Sequence, residues 1–149
     1  MASLHALLHA ELPPGLYRLV AGITLDDLRR STLAHDMRFI YVDGSTIDDK
    51  RSFLHTLYTA LNCPDYVALN WDAFEEAIRD LDWLTPRAIL LFYDYVDPFI
   101  FTSPRQWATA LSILEAAVTH WSDTSRPLYV LMSGADPSLD GLPEVAVNR

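Results

Sequence analysis

The sequence predicts an α/β protein: a parallel sheet with helices packed on it, preceded by an N-terminal extension. Two observations carry this. Short strand-type runs at Met37 to Val42, Ala88 to Tyr93 and Leu128 to Met132 alternate with segments whose apolar residues recur every three or four positions. The run Ala88-Ile89-Leu90-Leu91-Phe92-Tyr93 is apolar throughout, as expected of a strand covered on both faces. A chain of 149 residues, 50% hydrophobic, can bury a core without disulfides or metal.

The elements follow in order. Ser3 stands as N-cap before Leu4, Leu7, Leu8 and Leu12, which share helical spacing until Pro13-Pro14-Gly15 stops them. Leu16 to Val20 reads as a short edge strand. Thr24-Leu25-Asp26-Asp27 resembles a capping box and opens a helix to about Ala34. After the strand at Met37 and the turn Asp43-Gly44-Ser45, the residues Phe53, Leu54, Leu57, Tyr58 and Leu61 define a helix from Asp48 to Leu61. Asn62-Cys63-Pro64-Asp65 breaks it, and Asn70 caps a second helix reaching Leu81. Ser103-Pro104 starts a long helix to Trp121, since proline suits the first helical position. The division expected is an extension over 1–36 packed on the rest, a domain over 37–133, and a loose C-terminal tail over 134–149 that carries Pro, Gly and Asp.

Charge excludes several functions. With 20 Asp+Glu against 11 Lys+Arg, the formal charge is −9. Phosphate binding needs a basic patch, so nucleic acid is not an expected ligand, and an anionic membrane surface would repel the chain. The attractive partner is a basic protein. Cys63 is the one cysteine, so no internal disulfide forms. The first residues carry no Lys or Arg ahead of their leucines, and no apolar run approaches a membrane span, which points to the cytoplasm.

Acid is concentrated between Asp65 and Asp82, where Asp65, Asp72, Glu75, Glu76, Asp80 and Asp82 face Arg79 alone. On the helix from Asn70, the residues Trp71, Phe74, Ile78 and Leu81 form a stripe that reads as core. Asp72, Glu76 and Asp80, four apart, share another face, with Glu75 beside them and within reach of Arg79. The commoner meaning of such a run is a solvated helix face; the other is a docking surface for a cationic site. Tyr66, in the loop before the helix, suits a contact anchor, whereas Trp71 and Trp83 suit the core.

The segments Pro64-Asp65-Tyr66, Asn70-Trp71-Asp72-Ala73-Phe74-Glu75-Glu76 and Leu81-Asp82-Trp83-Leu84 resemble the barstar family. The resemblance covers about Met37 to Ser133. It implies a small three-stranded parallel sheet flanked by helices and a non-enzymatic inhibitor, an immunity protein or antitoxin, monomeric when free and without cofactor. The acidic helix and the loop before it would enter the cationic active site of a barnase-type ribonuclease, with carboxylates in place of substrate phosphates. Position by position, Tyr66 matches an aromatic packed on the nuclease, Asn70 a contact at the helix start, Asp72 a charged contact, and Glu76 the acid that enters the active site. Glu75 and Asp80 add field, and Glu115 lies near another family acid. Departures are Val67 for an aromatic, Ala68 for a glycine, Glu75 for an aromatic, and at Glu76 one methylene more than aspartate.

Two other readings are open. The altered loop and the N-terminal addition suit a barstar-like module that binds a non-nuclease partner. Asp94 and Asp97 follow an apolar strand, where α/β sheets place ligands, and such a pair could serve a metal-dependent hydrolase; a turn is the commoner meaning. His5 and His9, four apart on a helix, could make half of a metal site, but with no Cys or further His nearby no metal is expected. Cys63 has no evident base beside it and reads as a packed thiol.

Overall fold

A computed structural model describes residues 2–20, 24–85 and 87–146. Within the segment that resembles the barstar family, three strands form side by side: β3 (Arg38–Asp43), β4 (Ile89–Asp94) and β5 (Leu128–Met132). All pairings are parallel, with Ile40 opposite Leu91 and Leu91 opposite Val130. The three-stranded expectation nevertheless needs correction. The flanks add β1 (Ala2–Ser3), β2 (Leu16–Leu19) and β6 (Glu144–Ala146), giving, among the described residues, a six-stranded sheet in the order β1-β6-β2-β5-β4-β3.

Two more expectations change with it. Leu16 to Val20 is an interior strand rather than an edge, with Leu16 opposite Val130 on one side and Arg18 opposite Glu144 on the other. The tail is not loose over its described part, because β6 is held between β1 and β2. Unpaired strand edges are costly when covered, and β6 satisfies the outer edge of β2. Arg18 secures the approach, donating to the Gly134 carbonyl and pairing with Asp140, both at 2.9 Å. A three-residue strand offers too few positions for a periodic signal. Residues 147–149 of the tail lie outside the described residues.

Alternation along each strand feeds two cores. Ile89, Leu91 and Tyr93 join one, while Leu90 and Phe92 join the other, which explains why the run is apolar at every position. On the first face lie α3 (Lys50–Ala60), α4 (Trp71–Asp80), α5 (Asp97–Thr102) and α6 (Pro104–Trp121). On the second lie α1 (Leu4–Leu8) and α2 (Leu25–Ala34).

Caps expected from the sequence form with two differences. Ser3 accepts from the Ala6 N–H, Thr24 from Asp27 and Asn70 from Ala73. The third helix is capped by Asp49 and Ser52 reciprocally, so it begins at Lys50 rather than Asp48. Ser103 occupies the N-cap position of α6, but its hydroxyl donates to the Asp48 carbonyl at 2.8 Å instead. Among the described residues no helix is long and apolar enough to cross a membrane.

Candidate functional site

The acidic helix α4 is set on the sheet by its apolar stripe. Phe74, Ile78 and the following Leu81 are buried, and the Phe74 ring meets Phe53 edge-on at 5.5 Å. Three tryptophans lock the surroundings. Trp71 Nε1 donates to Gln106 on α6 (2.9 Å), Trp83 Nε1 to the Leu61 carbonyl (2.9 Å), and Trp121 Nε1 to the Ile78 carbonyl (2.8 Å). Each ring is apolar in body and needs a partner for its N–H.

The C-terminus of α4 is held by a residue that sequence reasoning did not single out. Leu81 takes a left-handed conformation, φ 50°, as C-cap. A non-glycine residue there costs about 1–2 kcal/mol. Arg126, itself buried, offsets this by donating to the carbonyls of Leu81 (2.6 Å) and Leu84 (3.0 Å) while lying over the Trp121 ring. Its position in Ser125-Arg126-Pro127 carries no periodic signal, so the sequence gives no hint of burial.

The loop before α4 folds back onto α3. Tyr58, nearly buried, donates its hydroxyl to the Ala68 carbonyl at 2.7 Å. Burial, with Cys63 beside it, pushes the Tyr58 hydroxyl up to about 12. Burial likewise raises the Cys63 thiol to about 11, so it stays neutral and packed.

This scaffold presents the predicted residues as follows. Tyr66 stands 86% exposed in the loop, and Asn70, Asp72, Glu76 and Asp80 are exposed along α4. Glu75 is half-exposed and pairs with Arg79 at 3.7 Å, which engages the one base of the segment. Glu76, Asp80 and Tyr66 line one cleft of about 320 Å³ together with Val67, Ala68, Ala73, Ala77 and Trp83. Beside it Asp72, Glu75, Glu76 and Asp80 surround a shallow acidic hollow of about 490 Å³. Glu76 and Asp80 therefore belong to both. Asn70 lines neither; its Oδ1 is engaged in capping at 2.8 Å. Glu115 is exposed on α6 and lines neither hollow. Trp83, expected in the core, packs against it while half-buried and also lines this cleft.

The hollow is electrostatically loaded. The carboxyl of Asp80 is raised from its ordinary value, first by a hydrogen bond shared with Asp82, then by desolvation and by the charges of Asp82 and Glu76. Like charges held this close favour an incoming cation.

The second acidic pair has a different role. Asp94 accepts from the hydroxyls of Tyr41 (2.7 Å) and Ser133, so it ties β3 and β5 to β4. Asp97 accepts from the backbone N–H groups of Ala135 (2.8 Å) and Asp136 (3.1 Å). The turn between them is at Tyr95, φ 57°, and the following Asp-Pro opens α5, a helix the sequence reading had not expected. Gly44 sits against this turn, where a Cβ would lie within 2.5 Å of the Tyr95 carbonyl oxygen. Both carboxylates thus act as structural acceptors. No group of three His, Cys, Asp or Glu side chains suited to a metal ion occurs among the described residues.

Among solved structures, the chain is similar in fold to a Walker-type ATPase of Pyrococcus abyssi, with TM-score 0.51 and 14% identity over 93% of this chain and 50% of that one. At that identity the likeness concerns the fold alone, and the chain spans half the length of the ATPase. The phosphate-cradling G-x-x-x-x-G-K-[S/T] run is absent from the sequence, whose one lysine, Lys50, follows Asp49. No curated protein matches the chain. The family model described as Barstar (barnase inhibitor) matches residues 37–133, the stretch that contains β3, β4, β5, the loop at Tyr66 and α4. The chain belongs to the barstar family.

Proposed function

We propose that this protein is a non-catalytic inhibitor that caps the cationic active site of a barnase-type ribonuclease with α4 and the loop before it. The observation that carries the reading is the joint exposure of Tyr66, Asp72, Glu76 and Asp80 around two adjoining hollows, with no base of the segment left unpaired. Substrate phosphates bind such an enzyme through Arg and Lys, and a rigid row of carboxylates offers the same charge without a cleavable bond. Glu76 is the central acid, Asp72 and Asp80 flank it, Tyr66 packs on the nuclease, and Asn70 meets it at the helix start. The protein acts as a monomer in the cytoplasm of the cell that makes the nuclease, as an antitoxin. Central carboxylates set the residence time, while outlying acids speed encounter in a salt-dependent way.

Val67 and Ala68 border the cleft where the family pattern has an aromatic and a glycine. This favours a nuclease whose rim differs from that of barnase. The test is inhibition of purified barnase-type ribonucleases, assayed on RNA. Stoichiometric loss of activity is expected for at least one, and recovery on Asp72→Arg or Glu76→Arg. Normal inhibition by both variants would overturn the site. A dominant cellular partner without nuclease activity would favour a barstar-like module recruited to another basic protein.

A further inference from the structure

The second face of the sheet carries a juxtaposition that the sequence separates by 26 positions. His9 is the C-cap of α1 and His35 the C-cap of α2, so both helices end at the same place. Their Nε2 atoms are 3.1 Å apart. The expectation that His5 and His9 have no further histidine nearby is corrected here, because tertiary packing of α1 and α2 on the sheet supplies one.

Chemistry specifies which nitrogens are available. Nδ1 of His35 lies 2.7 Å from the Ser31 carbonyl, which can only accept, so the proton sits on Nδ1 and Nε2 of His35 accepts from the Nε2–H of His9, the single proton that a metal ion between the two rings would displace. A backbone carbonyl that orients a histidine in this way is the usual companion of a metal-ligating imidazole. Two imidazole nitrogens on one ion, each at about 2.0–2.1 Å, are separated by roughly 2.9 Å at a right angle and 3.4 Å in a tetrahedron. The observed separation falls between these values. Both rings also stand at helix C-termini, where the backbone dipole favours a cation.

We propose that His9 and His35 form a bidentate site for a borderline transition-metal dication of the Zn²⁺ or Ni²⁺ class, clasping the C-terminus of α1 to that of α2. Imidazole pairs select these ions over Mg²⁺ or Ca²⁺, which take oxygen ligands. The remaining positions fall to water, since no carboxylate or thiol completes a group of three among the described residues. Asp36, the next residue, is turned to Arg87 at 3.6 Å. His5 packs its ring against His9, centroids 4.1 Å apart and tilted by 49°, and so buttresses the ligand rather than joining it. An ion here would tie the N-terminal extension to α2, and binding to the folded state alone raises stability.

The site is independent of the acidic face, and so is its test. The full chain, stripped with a chelator, is titrated with ZnCl₂ by calorimetry, and its unfolding temperature is followed with free Zn²⁺. One ion per chain is expected, with a rise in unfolding temperature and no response to MgCl₂. His9→Gln and His35→Gln should each weaken binding by about tenfold or more. His55→Gln and His120→Gln should bind as the parent does. Circular dichroism without metal checks that each variant folds. Absence of one-to-one binding at millimolar Zn²⁺, or undiminished binding by folded His9→Gln and His35→Gln variants, overturns the proposal.

Discussion

Two groups of carboxylates sit on this molecule and behave in opposite ways. Asp94, the last residue of β4, and Asp97, the first of α5, are engaged by the chain's own donors: two hydroxyls for one and two backbone N–H groups for the other. Asp72, Glu76 and Asp80, on α4, stand exposed, and Asp80 is destabilised as an anion by its neighbours. The sequence offers each group a functional reading beside a commoner one, a turn for the first and a solvated helix face for the second. The difference is that the first set holds strands and tail together, whereas the second set leaves its acceptor capacity to something outside the chain. Charge that a fold keeps but does not use is the better sign of a binding surface.

The comparison can be broken most forcefully from beneath. Phe74→Ala removes the ring on which the acidic helix rests, in contact with Phe53 and Tyr58, and should cost about 3–5 kcal/mol in urea unfolding. Arg126→Met leaves the buried carbonyls of Leu81 and Leu84 without donors, and should cost about 2–3 kcal/mol in the same measurement. Asp94→Ala strands the Tyr41 hydroxyl and should cost about 1–3 kcal/mol while nuclease inhibition persists. Glu76→Ala should do the reverse: stability within about 0.5 kcal/mol of the parent, as for most exposed sites, and inhibition weakened about tenfold or more. If Asp94→Ala and Glu76→Ala exchanged these phenotypes, the distinction would fail.

The smallest effect is a pH signature. Asp80 has a raised carboxyl in the folded state, so the folded chain holds that proton more tightly than the unfolded one. Its ionisation opposes folding above the folded value, and the opposition fades as pH falls through it towards the ordinary carboxylate value. Asp43, Asp49 and Asp136 are shifted the other way, each chiefly by a backbone N–H hydrogen bond from Ser45, Ser52 or Ser138. Their contribution is complete above the ordinary carboxylate value and is lost as pH falls through their lowered values. Asp80→Asn should therefore raise the urea midpoint slightly at neutral pH, with the gain gone near about pH 3, whereas Asp49→Asn should lower the neutral midpoint and flatten the acid limb.

Legibility followed the range of the interactions. The helix α4 could be read directly because its cap, its apolar stripe and its Glu75–Arg79 pair all lie within one short segment. Strands β3, β4 and β5 were equally plain, since burial on two faces requires unbroken apolar runs. Strand β6 was not, because three residues carry no period and its only large apolar side chain is Val145. The cleft beside Glu76 was hidden for another reason: it exists because Tyr58 pulls the loop back through the Ala68 carbonyl and Leu81 turns left-handed, and neither leaves a mark in residue type.

The sequence by itself determined the α/β class, the stripe that orients α4 and the residues that form its acidic face, because those properties depend on neighbours within one or two helical turns. Tertiary structure decided the rest. It placed β2 inside the sheet and β6 beside it, engaged Asp94 and Asp97, buried Arg126 beneath the acidic helix, and brought His35 to His9. Each of these joins chain segments distant in sequence, and long-range hydrogen bonding and packing act on three-dimensional proximity, which local residue pattern does not encode.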